Sequence, residues 1–389
     1  MSRTGIQYKC LVALTFALYG LQIYAATPQV KNVKAFQQYP WENKVCISYE
    51  VEGNVAASAG NGNTPFLVIM AKDKTTGKML VESDDSCLSG DTGVTAGAHK
   101  VVWDIGAQGA TINSANIMFT VMYCDELYLV ADLSAGANAS TYPFSYLGSV
   151  PSGGWTDTYK TTKLVLRRIP AGTFKMQNTS NVTLTKPFYM GVFEVTQKQY
   201  TLVMGSNPSN FTGDALPVER VSYNTIRGSS NGAMWPSSSA VDSTSFMGKL
   251  RARTGLNFDL PTEAQWEYTC RAGTTTTYYW GNSMNDSYTW YGGNSNGTAH
   301  KVGTKTPNAW GLYDMSGNVC EWCLDWMGTL TYGTDPKGPS ESSLGRVFRG
   351  GCWNFDAASW CTSSYRRSGD PSFGSSIDGF RLVRTLSNE

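Results

Sequence analysis

The stretch that most constrains this chain is Gly311 to Trp326, GLYDMSGNVCEWCLDW. Asp314 and Gly317-Asn318 predict a tight turn, because Asp, Gly and Asn accept left-handed or locally hydrogen-bonded backbone more readily than other residues. Directly after the turn, Glu321-Trp322 and Asp325-Trp326 set carboxylates among large aromatics, which suits a rigid, loop-rich core. Two further stretches belong with it: Arg346 to Trp353 (RVFRGGCW) and a closing Gly379-Phe380-Arg381. With 40 Gly, 12 Trp and only 16% charged residues, the chain reads as loops packed around aromatics rather than as a helical bundle.

At 389 residues there is room for two ordinary domains, and 41% hydrophobic content supports real cores. Residues 1–26 carry Arg3 and Lys9, then an apolar run from Cys10 to about Leu21, then Ala25-Ala26. That pattern predicts a cleaved secretory signal peptide, since Gly20 and Gln22 interrupt it too early for a membrane span. The mature chain is then expected to be secreted or periplasmic, with no membrane span, and no cysteine stands at the cleavage point to take a lipoprotein anchor. Without Arg3 and Lys9 the net charge is near −1 and no basic cluster stands out, so nucleic acid is excluded as a partner. Of nine cysteines, all but Cys10 remain after cleavage, and an even number in an exported chain favours disulfides. Zinc is disfavoured: Cys320 and Cys323 form the one C-x-x-C, and His99 and His300 are the only histidines.

From residue 27 to 133 the pattern is that of strands. Val45, Ile47, Tyr49 and Val51 alternate onto one face. Phe66 to Ala71 and Met79 to Glu82 flank Lys74 to Lys78 as a hairpin, and Val101 to Asp104 and Ile117 to Tyr123 follow at similar intervals. Regular short strands over such a length predict an all-β immunoglobulin- or fibronectin-like sandwich, with no catalytic constellation in it. Residues 134–162, rich in Ser, Ala, Gly, Thr, Tyr and Pro, read as a linker. Periodicity resumes at Lys163 to Arg167 and opens the second domain, 163–386. Two helix starts carry capping boxes, Thr196 with Gln199 and Thr262 with Gln265. Asp242 to Thr254 predicts another helix, with Phe246 and Leu250 one turn apart and Gly255 ending it.

Leu260 to Tyr268 (LPTEAQWEY), Gly311 to Trp326, Arg346 to Trp353 and Gly379 to Arg381, in this order, resemble the sulfatase-modifying-factor family, whose founding activity is the formylglycine-generating enzyme. The resemblance runs from about Val165 to Arg384 and implies an α+β, loop-rich, C-type-lectin-like fold. It also implies a pair of copper(I)-holding cysteines just after a Gly-Gly-Ser that matches Gly350-Gly351-Cys352, thiolates being soft ligands suited to that ion. Counted without gaps, those two positions are Phe355 and Trp360. The nearest thiols are Cys352, Cys361 and Cys320, the candidates for a rearranged catalytic set. Against that role, the resemblance implies a structural Cys270–Cys361 disulfide, and a Cys323–Cys352 disulfide accounts for the other nearby thiols. A thioether-forming iron oxidase, known among relatives of the family, is disfavoured because two histidines cannot build its three-histidine site.

The family binds calcium at the turn, and the matching ligands are Asp314 and Glu321 with the carbonyls of Met315, Gly317 and Val319; hard oxygen donors suit that ion. The competing reading has Asp314 and Glu321 capping the turn and bridging to an arginine such as Arg349. Copper is implied only if the chain is an oxidase. Residues 354–378 set small polar residues beside aromatics, and with Trp353 they offer a ligand surface of Trp353, Phe355, Asp356, Trp360 and Phe373. The segment also resembles the variable region of retroelement-diversified proteins that use this fold. The expected function is a non-catalytic binding scaffold, a pseudoenzyme whose partner is an extracytoplasmic protein, peptide or surface ligand. The alternatives are a formylglycine-generating oxidase acting on sulfatase cysteines through rearranged cysteines, a retroelement-diversified ligand-binding protein, and a structural envelope component.

Overall fold

The computed structural model describes residues 8–9, 29–37, 44–52, 66–75, 79–82, 87–91, 96–107, 117–124, 127–355 and 358–385. The chain divides into two compact units, residues 1–127 and 128–387. The leader read over 1–26 lies outside the described residues except for Tyr8–Lys9, a two-residue strand beside Gln29–Gln37. No helix among the described residues is long and apolar enough to cross a membrane.

In the first unit, Gln29–Gln37, Lys44–Glu52, Gly97–Asp104 and Leu88–Gly90 pair in that order into an antiparallel sheet. Phe66–Asp73 lies between Met79–Glu82 and Ile117–Cys124 in a second one. The period-two pattern reads out directly. Val45, Ile47, Tyr49 and Val51 are all buried, and they share one cluster with Val101 and Trp103 of their own sheet and Ile69, Ala71 and Val121 of the other. Successive strand residues face opposite ways, so each strand delivers one apolar row to that common core.

The second unit begins earlier than its periodicity does. Tyr128–Asp132 pairs with Lys163–Ile169, and Phe144–Leu147 pairs with Tyr128–Asp132. The stretch read as a linker, 134–162, is therefore part of the second unit, and so are residues 128–133, which the sequence pattern places at the end of the first domain. Its anchors are single aromatics rather than a period. Tyr142 is buried, donates its backbone N–H to the Arg253 carbonyl at 2.8 Å, and accepts from Arg253 Nη1 at 2.9 Å. Trp155 meets Tyr128 and Tyr159 edge-on. A short strand held by isolated rings leaves no repeating signal for a sequence window to detect.

The sheet so begun has six antiparallel strands, completed by Phe188–Gly191, Val383–Thr385 and Phe258–Asp259. Both capping boxes form: the Thr196 and Thr262 hydroxyls accept from the Gln199 and Gln265 amides, and each Gln side chain accepts in return. The resulting helices are Gln197–Met204 and Glu263–Arg271, and Phe246–Thr254 ends on left-handed Gly255 as its sequence predicts. A four-stranded sheet, Arg367–Gly369, Arg346–Arg349, Cys320–Trp326 and Asp378–Gly379, carries most of the singled-out residues. Helix Glu263–Arg271 packs on it, burying Trp266 fully.

Candidate functional site

Strand Cys320–Trp326 sorts its side chains onto two faces. Glu321, Cys323 and Asp325 point toward helix Glu263–Arg271, while Cys320 and Trp322 point the other way, because side chains alternate along a strand. Trp322 Nε1 donates to the Val221 carbonyl at 2.9 Å, and Glu321 accepts from Trp266 Nε1 at 2.7 Å. The C-x-x-C cysteines, three residues apart, thus cannot share a site.

The turn before the strand has the predicted left-handed backbone, with φ +55° at Asp314, +82° at Gly317 and +58° at Asn318. At Gly317 a Cβ would lie 2.2 Å from the Trp290 carbonyl oxygen, so only glycine fits. Asp314 Oδ2 accepts from the Gly303 amide at 2.7 Å. Glu321 is held by Arg381, whose Nη2 donates at 2.7 Å. The partner is not Arg349, which instead spans Glu263 (3.1 Å) and Glu267 (2.6 Å).

A third carboxylate, Glu194, completes a cluster that the motifs do not disclose. Its oxygens accept from Asn318 Nδ2 at 2.6 Å and the Val319 amide at 3.1 Å. Burial first, then Asp314 and Glu321 nearby, push its carboxyl well above the usual range. Burial likewise raises Asp314 to about 6. The available signal was local: a lone Glu inside the apolar run Gly191 to Val195 is buried, and a buried carboxylate needs partners.

Glu194, Asp314 and Glu321 are all buried, and the buried cation placed against them is the one guanidinium of Arg381. An excess of buried carboxylate over cation is the chemistry a divalent ion relieves. Among the described residues no three His, Cys, Asp or Glu side chains converge as a ready metal cage. The resemblance would set an ion on Asp314, Glu321 and the carbonyls of Met315, Gly317 and Val319; in the structure Glu321 is shared with Arg381 and the Met315 carbonyl faces Cys270 Sγ at 3.5 Å.

Cys270, Cys323, Cys352 and Cys361 are free thiols in the structure, so neither the Cys270–Cys361 nor the Cys323–Cys352 disulfide is formed in it. Cys270 Sγ faces the Met315 carbonyl at 3.5 Å and the Ser363 hydroxyl, and burial pushes it up to about 12. Cys361 turns instead toward the Thr289 hydroxyl and the Cys352 amide, also pushed up to about 12 by burial. Cys323 lies beside Glu263, Asp325 and Arg349 on the helix-facing side, away from Cys352. The thiols that lie near one another are Cys320, Cys352 and Cys361, all buried, with Arg367 close to Cys320.

Of the expected ligand surface, Trp353 is only 8% exposed; it packs edge-on to Phe211 and donates Nε1 to the Ser376 carbonyl at 3.0 Å. It belongs to the core rather than to the surface. Trp360 and Phe373 are exposed, at 42% and 65%, and Phe355 is half-buried. Asp356 lies outside the described residues. Phe355 and Trp360 meet edge to face at 5.0 Å, and Arg367 lies 5.8 Å from the Phe355 ring.

Known proteins match this chain over part of its length. Chaperone protein LppX of Paenibacillus barcinonensis is 30% identical over 256 residues, covering 56% of this chain and 88% of that protein. The formylglycine-generating enzyme of Bos taurus is 27% identical over 317 residues, 64% of this chain and 81% of the enzyme. That of Streptomyces coelicolor is 33% identical over 150 residues, 32% of this chain and 46% of the enzyme. Among solved structures, Treponema denticola variable protein 1 is 28% identical with a TM-score of 0.49, covering 58% of this chain and 96% of that one. The family model of the sulfatase-modifying factor enzyme 1-like domain matches residues 156–386, which include the turn, the carboxylate cluster and the closing Arg381. Since that match takes in more than half of the sequence, the chain belongs to the sulfatase-modifying factor enzyme 1-like domain family.

Proposed function

We propose that this family member is an exported, non-catalytic binding scaffold. Its first unit is an immunoglobulin- or fibronectin-type sandwich that spaces or docks the second. The observation that carries the reading is the edge-to-face pair of Phe355 and Trp360, which stand where the family resemblance places the copper-holding cysteines. Neither ring can ligate copper(I) or form a thiolate. The thiols nearest to them, Cys320, Cys352 and Cys361, are no more than 1% exposed. Trp360, Phe373 and Phe355 instead offer aromatic area, flanked by Ser372, Gly374 and Ser375, to an extracytoplasmic protein, peptide or surface ligand.

The test is mass spectrometry of a Cys-x-Pro-x-Arg peptide incubated with the full chain, copper and reductant. No conversion of the cysteine to the aldehyde is expected. Turnover that disappears on Cys352→Ser or Cys361→Ser would establish a rearranged oxidase and overturn the scaffold reading.

The same reading includes a calcium ion at the turn, supported by the excess of buried carboxylate around Asp314. Chelation should then lower the melting temperature, and Asp314→Ala should abolish that sensitivity. Melting curves indifferent to chelator and to added calcium would reduce the turn to a purely structural element.

A further inference from the structure

Tyr128 and Arg167 stand directly opposite each other in the six-stranded sheet, in the register of Tyr128–Asp132 with Lys163–Ile169. Directly opposed residues set their side chains side by side on one face. Arg167 donates Nη1 to the Trp310 carbonyl, which holds the loop before the Asp314 turn against this pair. The next residue, Gly311, leaves a notch there. Its φ is +71°, and a Cβ on it would lie 3.5 Å from Arg167 Nη1 and 3.9 Å from the Tyr128 hydroxyl oxygen. Trp155, half-buried, meets the Tyr128 ring edge-on at 4.9 Å, so a second aromatic flanks the phenol.

The donors around the notch outnumber their acceptors. Arg167 Nε is buried with no hydrogen-bond partner, and Nη2 donates to no described residue. Tyr128 is only 3% exposed, yet its hydroxyl has no hydrogen-bond partner among the described residues. Arg167 forms no ion pair with a described carboxylate. Burial pushes its guanidinium below the usual range, and only Tyr128 offsets this. By contrast, Arg227 is matched by Asp259, Arg349 by Glu263 and Glu267, and Arg381 by Glu321. Buried donors are costly to leave without an acceptor, and a guanidinium keeps its charge. An anion at the notch would supply what both groups lack.

We propose that Tyr128 and Arg167 form a carboxylate-binding site at Gly311, taking the free carboxylate of a small aromatic acid or of a peptide C-terminus. One carboxylate oxygen accepts from the guanidinium and the other from the phenol, since two donors side by side match two oxygens. A phosphate dianion would call for further donors. The missing side chain of Gly311 gives the group room, and the Tyr128 and Trp155 rings receive the apolar body.

Benzoate and N-acetylglycyl-phenylalanine are titrated into the full chain, each beside its amide, and saturation-transfer NMR reads the bound fraction. At least one acid should bind saturably, with a dissociation constant on the order of 1 mM, and neither amide should bind. The tighter of the two acids identifies the source of the carboxylate. Arg167→Gln should weaken that acid at least about tenfold, and Tyr128→Phe about threefold. Inorganic phosphate at equal concentration should not displace it. The proposal is overturned by the absence of saturable binding, by equal binding of acid and amide, by displacement with phosphate, or by unchanged affinity in either variant. A lowered melting temperature in Arg167→Gln, with no acid bound by the parent chain, would leave Arg167 as a brace for the Trp310 carbonyl and nothing more. If Arg167→Gln does not fold, Tyr128→Phe decides alone, because it removes one oxygen and keeps the ring. None of these residues belongs to the Phe355–Trp360 surface and no readout involves peptide conversion, so this proposal and the scaffold reading fail separately.

Discussion

Replacing Glu321 with alanine is expected to destabilise the second unit by about 3–5 kcal/mol, the range for removing one partner of a buried ion pair. Glu321 and Arg381 are both fully buried, and the carboxylate accepts from Arg381 Nε and Nη2 as well as from Trp266 Nε1. Arg381 would keep the Gly191 and Tyr313 carbonyls, each at 2.8 Å, but would lose the carboxylate it donates to, leaving only the longer-range influence of Glu194 and Asp314. Trp266, in the core between helix Glu263–Arg271 and the four-stranded sheet, would lose its acceptor. Denaturant unfolding of the full chain, followed by tryptophan fluorescence, measures the loss. A Glu321→Leu, Arg381→Met double variant should recover part of it, because the apolar pair removes the guanidinium that would otherwise lack its hydrogen-bonded carboxylate. A loss below about 1 kcal/mol in the single variant, the level of an exposed ion pair, would show that the pair does not hold the turn in place.

Asp325→Asn should raise the melting temperature at pH 8 and lose that advantage below about pH 6. Burial, then the neighbouring Glu263, raise the Asp325 carboxyl from 3.8 to about 7 in the folded chain. A folded pKa above the unfolded one means the native state binds the extra proton between those values. Its contribution to stability is therefore greatest at the acid end of that window and falls as pH rises through about 7. Asparagine removes the charge and keeps an oxygen for the Glu263 amide, which now donates to Asp325 at 2.7 Å. The gain at pH 8 should be on the order of 1–3 kcal/mol, since each pKa unit is worth about 1.4 kcal/mol and the partners relax. Melting curves of both chains from pH 5 to pH 8 decide it. A difference that stays constant with pH would mean Asp325 is not the titrating group.

What the sequence by itself determined is what near neighbours in the chain decide. The alternation of Val45, Ile47, Tyr49 and Val51 set one buried strand face. Thr196 with Gln199 and Thr262 with Gln265 set two helix starts. Asp314, Gly317 and Asn318 set a left-handed turn. Each is an interaction within a few residues, so it survives in any fold that contains the segment.

The tertiary structure decided who meets whom. Arg381, not Arg349, reached Glu321, because Arg349 is claimed by Glu263 and Glu267 on the facing helix. Glu194 joined the turn from 120 residues or more upstream, through Asn318 and the Val319 amide. Strand pleat sent Cys320 and Cys323 to opposite faces, and register brought Cys352 to the first of them. Trp353 turned inward because the backbone carbonyl of Ser376 satisfies its indole N–H there. Residues 134–162 entered the second unit through Tyr142 and Trp155, single rings whose partners lie elsewhere in the chain. Partner choice of this kind depends on register and on competition between distant charges for the same buried group, and neither is encoded within a local window.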